Sequence, residues 1–161
     1  SINGQTSLTT ENSTIDLIRS RMTSVGPAIA LDKGLINVHN GALINLTAGS
    51  QLITLGDLLS LANGSRINVF NGPLINVAGA GSVLDVSGAL VNFAGTGGNK
   101  IIVNNSIAPT ATLSGLPVSA TTGGSVSIGP NPIKNPSLGN ISVTGSLIQA
   151  TNNGKVKIGA P

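Results

Sequence analysis

The side chains that could carry out acid–base or metal chemistry are few and far apart. The acids and the one histidine are Glu11, Asp16, Asp32, Asp57, Asp85 and His39. Hydrolysis of a glycosidic bond needs two carboxylates on one face. Asp16 and Asp32 could stack in a two-faced coil, but Asp16 is expected to point outward and Asp32 to lie in a turn. His39 is expected in a solvated turn. Because the chain has no cysteine, it has no thiolate metal ligand, and we expect no enzyme activity, cofactor or metal.

The composition argues against two further classes of function. Hydrophobic residues make up 40% of the 161 residues and charged residues 8%, with two phenylalanines and no tryptophan or tyrosine. The net charge of +3 comes from cations that are mostly scattered singly, whereas nucleic-acid binding needs clustered cations and usually aromatic side chains. No apolar run approaches the roughly 18 residues of a membrane helix. We therefore expect no nucleic-acid partner and no membrane span.

A short unit of an apolar, a small polar and an apolar residue recurs along the chain, with a glycine-rich turn close behind. Examples are LINL within GALINLTAGS at 41–50, LINV at 74–77 and LVNF at 90–93. The central polar residues of the clearest units are six to nine residues apart: Asn37, Asn45, Thr54, Ser60, Asn68, Asn76, Asp85 and Asn92. Such self-similarity is typical of repeat architectures.

The local structure predicted for this unit is a strand. Apolar residues at i and i+2 match the two-residue period of a strand. The turns vary in length while the same pattern recurs in the same chain direction, which favours parallel stacking over hairpins. The sequence predicts an all-β parallel β-solenoid built from strand–turn units of 7–9 residues. Residues 13–22, STIDLIRSRM, could instead form a helix capped by Ser13, but a seven-residue spacing of the units favours strands there.

The length of one coil is left open between two values. Segments with a longer turn alternate with segments with a shorter one, so a two-faced coil of about 16 residues would stack similar turns on each other. Asn45, Asn68 and Asn92 are 23 and then 24 residues apart, so a three-faced coil of about 22–25 residues also fits.

Strand alternation assigns the faces of each unit. The residues expected to point inward are Ile44, Leu46, Ile75, Val77, Val91 and Phe93. The eight central polar residues named above must then point outward as an outward polar ladder, in which Asn above Asn can form hydrogen bonds between coils about 4.8 Å apart. This ladder is either a binding surface or a set of solvated residues that fix the register, and the second interpretation is favoured.

A leucine precedes most of these units and falls on the outward side by strict alternation. These residues are Leu35, Leu43, Leu52, Leu58, Leu74 and Leu90. They either turn inward at a corner or form an exposed stripe that contacts a neighbouring chain. Burial at a corner is favoured because a long exposed apolar stripe is unusual on a monomer.

Three regions are expected along the chain. Residues 1–105 carry the solenoid repeats. Residues 106–140 hold most of the prolines and are expected to form an excursion with a short strand at 125–128; prolines in 129–139 argue against a central strand there. Solenoid coils are expected to resume over 141–161. No evident cap shields either end of the pattern, so we expect a segment of a longer fibre or a subunit that stacks end to end.

The repeats PLINVAGAGSVLDVSG and ALINLTAGSQLITLG resemble those of filamentous-haemagglutinin-like large secreted bacterial proteins. The resemblance implies a right-handed parallel β-helix, export to the cell surface, and a role in adhesion, matrix or fibre formation. The chain departs from the family pattern in lacking its secretion domain and in its proline-rich segment 106–140.

These observations lead to one expected function and two alternatives. We expect a non-enzymatic extracellular structural protein that forms a fibre by end-to-end stacking on copies of itself, for cell-surface adhesion or matrix; surface glycans are a second candidate partner. The alternative is a carbohydrate-binding or carbohydrate-cleaving β-helix. The third candidate is an ice-binding solenoid, which would need a regular outward array where this chain mixes Asn, Thr, Ser and Asp.

Overall fold

A computed structural model describes residues 2–3, 7–104, 111–113, 116–120, 125–128, 133–144, 148–151 and 155–158 of the chain. The regular elements in these ranges are short strands and one 3-10 helix, Pro136–Leu138. Alternating apolar and polar residues over about four positions suit a strand, and the turn that follows each run ends it. The predicted all-β class is confirmed.

The first three coils contain four strands each. The first coil contains β1 (Ile2–Asn3), β2 (Ser7–Thr10), β3 (Ile15–Ile18) and β4 (Arg21–Ser24). The second contains β5 (Ile29–Asp32), β6 (Leu35–Val38), β7 (Ile44–Thr47) and β8 (Gln51–Thr54). The third contains β9 (Leu59–Ala62), β10 (Arg66–Val69), β11 (Ile75–Ala78) and β12 (Val83–Val86). Residues 13–22 thus contribute to two strands, and the prediction of strand over helix there is confirmed.

The later strands are less regular in length. In chain order they are β13 (Val91–Ala94), β14 (Asn99–Asn104), β15 (Ala111–Leu113), β16 (Leu116–Ala120), β17 (Ser125–Ile128), β18 (Ile133–Lys134), β19 (Gly139–Thr144), β20 (Ile148–Thr151) and β21 (Lys155–Ile158).

The strands stack into four sheets, which we call A to D in the order in which the chain visits them. Sheet A contains β1, β5, β9, β13 and β18, and sheet B contains β2, β6, β10, β14 and β19. Sheet C has the order β3, β7, β11, β20, β16, β15, and sheet D contains β4, β8, β12, β17 and β21. Successive coils pair in parallel, as between β7 and β11, whereas β15 and β16 are antiparallel. The predicted parallel β-solenoid is confirmed; its handedness stays a prediction.

One coil is longer than predicted. Ile44 pairs with Ile75 and Leu59 pairs with Val91, so a coil advances by 31 or 32 residues in the middle of the molecule. Because it crosses four sheets, both the two-faced and the three-faced coil are wrong. The similarity between alternate segments corresponds to half a coil. In the second and third coils, strands of sheets A and C begin with a buried residue, and strands of sheets B and D begin with an outward one.

The four corners of a coil are of two kinds. The corners from A to B and from C to D pass through a left-handed backbone, as at Ala48 (φ 56°) and Asn63 (φ 58°). The corners from B to C and from D to A carry an inward leucine, and Leu43, Leu58, Leu74 and Leu90 are fully buried. The corner burial favoured above is therefore observed for these four leucines.

The chain leaves the regular coil after β14. The β15–β16 hairpin lies at one end of sheet C, and the later strand β20 lies between β11 and β16. β17 extends sheet D next to β12 and β18 extends sheet A next to β13. Pairing with the solenoid therefore resumes at residue 125, before the predicted boundary at 141. Residues 106–110, 114–115, 121–124 and 129–132 of the predicted excursion lie outside the described residues.

Candidate functional site

Seven of the eight residues of the outward polar ladder lie half-buried on the outside of the solenoid. Asn37 and Asn68 are on sheet B, Asn45 and Asn76 on sheet C, Ser60 and Asn92 on sheet A, and Asp85 on sheet D. Because the coil has four faces, these residues form several short rows and not one continuous row. No single face presents all of them to one ligand.

Side-chain amides connect successive coils on two of these faces. On sheet C, Asn45 Nδ2 donates to Asp16 Oδ1 at 2.9 Å, and Asn76 Nδ2 donates to Asn45 Oδ1 at 2.8 Å. On sheet B, Asn68 Nδ2 donates to Asn37 Oδ1 at 2.9 Å. The three hydrogen bonds run along the solenoid axis, so each one joins two coils that are distant in sequence. These amides use their hydrogen-bonding groups on each other, which supports their role in fixing the register.

Thr54 was placed on the outward ladder by the sequence and lies inside the coil. Leu52 and Thr54 are fully buried, and Ile53 between them is half-buried on the outside. The Thr54 hydroxyl is satisfied by donating to the Gly56 carbonyl at 3.2 Å. The assignment of Thr54 as an outward residue is therefore wrong, because its side chain can be buried once the hydroxyl has a backbone acceptor.

The residues predicted to point inward are all buried. Ile44, Leu46, Ile75, Val77, Val91 and Phe93 are at most 1% exposed. Two of the six leucines that precede the units lie neither at a corner nor in an exposed stripe. Leu52 is an inward strand residue, and Leu35 is half-buried on the outside of sheet B. The core is consequently a column of aliphatic side chains with a single aromatic ring, that of Phe93.

Buried hydroxyls at the A-to-B and C-to-D corners form a second ladder that the sequence analysis missed. The Ser65 hydroxyl accepts from the Gly34 N–H of the preceding coil at 3.1 Å and donates to the Ala62 carbonyl at 2.7 Å. Ser82 accepts from the Gly49 N–H at 3.0 Å in the same way. The signal was present in the sequence as the recurring Gly-Ser pair that ends the longer turns, at 49–50, 64–65 and 81–82.

Asn99 replaces serine at the next A-to-B corner and makes more contacts. Its Oδ1 accepts from the N–H groups of Gly64 and Ser65 at 3.1 and 3.0 Å. Its Nδ2 donates to the carbonyls of Ala94 and Leu138 at 3.1 and 2.9 Å. The buried amide thus connects its own turn to Gly64 and Ser65 of the preceding coil and to Leu138 of the 3-10 helix.

The acidic side chains other than that of Asp57 are separated from each other. Asp16 on sheet C bonds to Asn45, and Asp32 at the end of β5 accepts from Asn63 Nδ2 at 2.7 Å. The stacking of Asp16 on Asp32 therefore does not occur. Glu11 Oε1 lies 3.9 Å from His39 Nδ1 in an exposed turn. Among the described residues, no three His, Asp or Glu side chains come together in a group that could hold a metal ion.

Asp57, at the corner from sheet D to sheet A, has a lowered pKa. Its side chain is 14% exposed, and Oδ1 accepts from the Ala89 N–H at 2.8 Å and from Lys134 Nζ at 2.9 Å. Partial burial raises the pKa of Asp57, but the Ala89 hydrogen bond, the bond to Lys134 and its positive charge, and a hydrogen bond with Asn92 together hold the pKa below its ordinary value. Asp57 is therefore an ionised carboxylate at neutral pH.

The same corner brings together polar side chains from three coils. Asn92 on β13 is the Cα partner of Lys134 on β18, one coil further along the axis. Asn135 Nδ2 donates to Asn92 Oδ1 at 3.2 Å and to the Phe93 carbonyl at 3.0 Å. We call Asp57, Asn92, Lys134 and Asn135 the sheet A cluster. The four side chains form a chain of hydrogen bonds, in which Asp57 bonds to both Lys134 and Asn92 and Asn92 bonds to Asn135.

Comparison with protein-family models, with curated proteins and with solved structures finds no match to this chain. Within the described ranges, no helix is both long and apolar enough to cross a membrane.

Proposed function

We propose that this protein is a non-enzymatic extracellular structural protein, a β-solenoid rod that builds a fibre by stacking on further copies of itself. The observation that carries the proposal is the set of hydrogen-bonded ladders along the axis, which includes the backbone pairs, the outward amides and the buried corner hydroxyls. Every coil in such a structure binds the coil that precedes it. The contacts that fold the rod can therefore also extend it onto a further copy. Adhesion or matrix formation at a cell surface is the role that such a rod would serve.

The surface proposed for stacking is the edge formed by β1 to β4. Each of these strands is the first in its sheet and pairs on one side within the described part of the chain. An exposed strand edge offers N–H and C=O groups to another chain. The Thr10 and Ser24 carbonyls accept from His39 and Leu55 of the next coil at 2.9 Å. By strand alternation, the backbone groups of Thr9 and Thr23 therefore point away from that coil, towards the edge.

Negative-stain microscopy and sedimentation over a range of concentrations test the proposal. We expect filaments or concentration-dependent oligomers from the wild-type protein. The double variant T9P/T23P removes two edge N–H donors without removing a bond inside the solenoid, so it should form shorter or no filaments. T9V/T23V keeps both donors at the same exposed positions and should assemble as the wild type does.

Two outcomes would contradict it. A wild-type protein that stays a compact monomer at high concentration contradicts fibre formation. Filaments of T9P/T23P that equal those of T9V/T23V would show that the β1–β4 edge is not the assembling surface.

A second candidate function is carbohydrate binding, and one exposed aromatic ring favours it. Phe70 lies half-exposed in the turn after β10, and its ring packs edge-on against His39 with centroids 5.4 Å apart. Beside it, Asn71 Nδ2 donates to Asn40 Oδ1 at 3.2 Å. An exposed ring next to amides suits a sugar, which has apolar faces and hydroxyl edges. A glycan-array signal that is retained by F70A would argue against this site.

A further inference from the structure

The sheet A cluster lies where β18, within the 106–140 segment, pairs with β13 of sheet A. Lys134 reaches past Asn92 of the neighbouring coil to Asp57 of the coil beyond it, 77 residues away in sequence. Lys134 is 44% exposed and Asp57 14% exposed. The amine is therefore partly withdrawn from water and held by a carboxylate that the Ala89 N–H fixes in position.

The four side chains of the cluster have complementary chemistry. Lys134 carries a primary amine, which is a nucleophile when neutral. Asn92 carries a carboxamide whose carbon is an electrophile, and its Oδ1 accepts a hydrogen bond from Asn135 Nδ2 at 3.2 Å. A donor at this oxygen stabilises negative charge that develops there during attack on the carbonyl carbon. Asp57 is a carboxylate in contact with the amine and can act as the base.

We propose that Lys134 and Asn92 join in an intramolecular amide bond, formed once per molecule by the protein itself with Asp57 as the base. Asp57 takes a proton from the Lys134 ammonium, and the Nζ lone pair attacks Cγ of Asn92 to form the new C–N bond. The tetrahedral oxyanion is held by Asn135 Nδ2. Asp57 passes that proton to the departing Nδ2, the old C–N bond breaks, and ammonia leaves. Nζ then gives up its second proton through Asp57 to the ammonia, which becomes ammonium. The lysine ammonium and the carboxamide thus become a secondary amide and an ammonium ion, with no oxidant, reductant or further reactant.

The solenoid geometry supplies what this reaction needs. Asn92 and Lys134 are directly paired on adjacent parallel strands, so their backbones are held about 4.8 Å apart. Fixing two reactants side by side replaces a bimolecular encounter with an intramolecular one, which lowers the barrier. The nitrogen can attack only after the ammonium has given up a proton to a carboxylate, which is a weaker base than an amine. The reaction is consequently slow, but a reaction that occurs once per molecule does not need to be fast.

The bond would join β13 to β18 covalently and close the loop between residues 92 and 134. A crosslink of this kind removes conformations from the unfolded chain, as a disulfide does, and it suits a protein without cysteine. The inference is independent of fibre formation and holds for a single molecule.

Mass spectrometry of the denatured protein tests the inference. We expect the wild-type protein, after incubation in its folded state, to be lighter than its sequence by one molecule of ammonia. Proteolysis should release a branched peptide that joins the segments containing Asn92 and Lys134. K134R keeps the positive charge beside Asp57 but supplies no primary amine, so its mass should equal its sequence mass. The matched control is K100R, which changes an exposed lysine on β14 and should lose ammonia as the wild type does.

The role of Asp57 is tested by the rate of ammonia loss. D57N keeps the size of the side chain and removes the base, so the crosslink should form at least tenfold more slowly while Lys134 and Asn92 remain. A wild-type mass that stays equal to the sequence mass after prolonged incubation of the folded protein would overturn the proposal. Loss of ammonia that persists in K134R would overturn it as well, since another asparagine would then be the source.

Discussion

Ser65 connects two coils through one buried hydroxyl. It accepts from the Gly34 N–H and donates to the Ala62 carbonyl. Replacing it with alanine leaves the Gly34 N–H without an acceptor inside the corner, and such an unsatisfied buried group costs about 1–3 kcal/mol. We therefore expect S65A to lower the free energy of unfolding by about that amount, as measured by urea denaturation.

The matched control for this prediction is S60A. Ser60 lies two strand residues before the same turn, half-buried on the outside of sheet A. A substitution there is expected to change the stability by less than about 0.5 kcal/mol. If S65A and S60A have equal effects, the buried corner hydroxyl does not stabilise the coil.

Asp57 gives the molecule an acid-sensitive contact. Its pKa in the folded state lies below the ordinary value of 3.8, so folding favours the ionised form. This contribution is fully present above the pKa of the unfolded state and is lost as the pH falls through the lower folded value. We expect the difference in urea midpoint between wild type and D57N to be constant above about pH 5 and to shrink below it. A difference that grows on acidification would contradict the assignment.

At the scale of elements, the amide ladder on sheet C makes the strand register sensitive to charge. Asn45 donates to Asp16 and accepts from Asn76. In N45D, two carboxylates face each other on adjacent strands, and like charges in this position destabilise a sheet by up to about 1 kcal/mol. We expect N45D to be less stable than wild type at pH 7, with the loss reduced at low pH where carboxyl groups bind protons.

The control for N45D is N68D, because Asn68 faces the neutral Asn37 on sheet B. Its stability should depend less on pH than that of N45D, when both are measured by thermal denaturation between pH 3 and 7 (a window around the ordinary carboxyl pKa of about 4). Equal pH profiles for the two variants would show that Asp16 does not interact with position 45.

The strand β19 begins where a glycine backbone lies directly on the ring of Phe93. A Cβ on Gly139 would overlap that ring, and Phe93 is 1% exposed and cannot move outward. We expect G139A to destabilise the protein by about 1–3 kcal/mol through overpacking. The double variant F93L/G139A should be closer in stability to F93L than G139A is to wild type. Additive effects would contradict this contact.

The sequence predicted the strands well and one face of one strand wrongly. The period-two pattern placed Ile44 and Leu46 in the core, where they are buried, because in most units the polar residue lies between two apolar ones. In LITL at 52–55 the pattern is ambiguous, since isoleucine and threonine are both β-branched and suit either face. Burial of Thr54 depends on the Gly56 carbonyl accepting its hydroxyl, which a pattern of residue types does not contain.

The coil length could not be predicted for a different reason. In the second and third coils, strands of sheets A and C share one burial pattern, and strands of sheets B and D share another. A local pattern therefore repeats twice in each coil, and it does not say whether the second copy lies above the first or across the core from it. The sheet A cluster was missed similarly: Asp57 and Lys134 meet only because β18, within the 106–140 segment, pairs with sheet A.

At the scale of the whole molecule, stability is expected to vary along the axis. The strands β5 to β12 have a neighbour on both sides, whereas β1 to β4 pair on one side within the described residues. Strands at an edge open by local fluctuations at low cost. In the monomeric protein, we expect backbone amides of β9 and β10 to exchange with solvent deuterium more slowly than those of β2 and β3. Uniform exchange along the axis would indicate that the molecule opens as one cooperative unit.

The twofold similarity within each coil has a consequence for the history of the gene. In the second and third coils, a shift of about half a coil would carry a strand from A to C or from B to D and keep its buried positions buried. We therefore expect related rods to differ in size by half-turn steps.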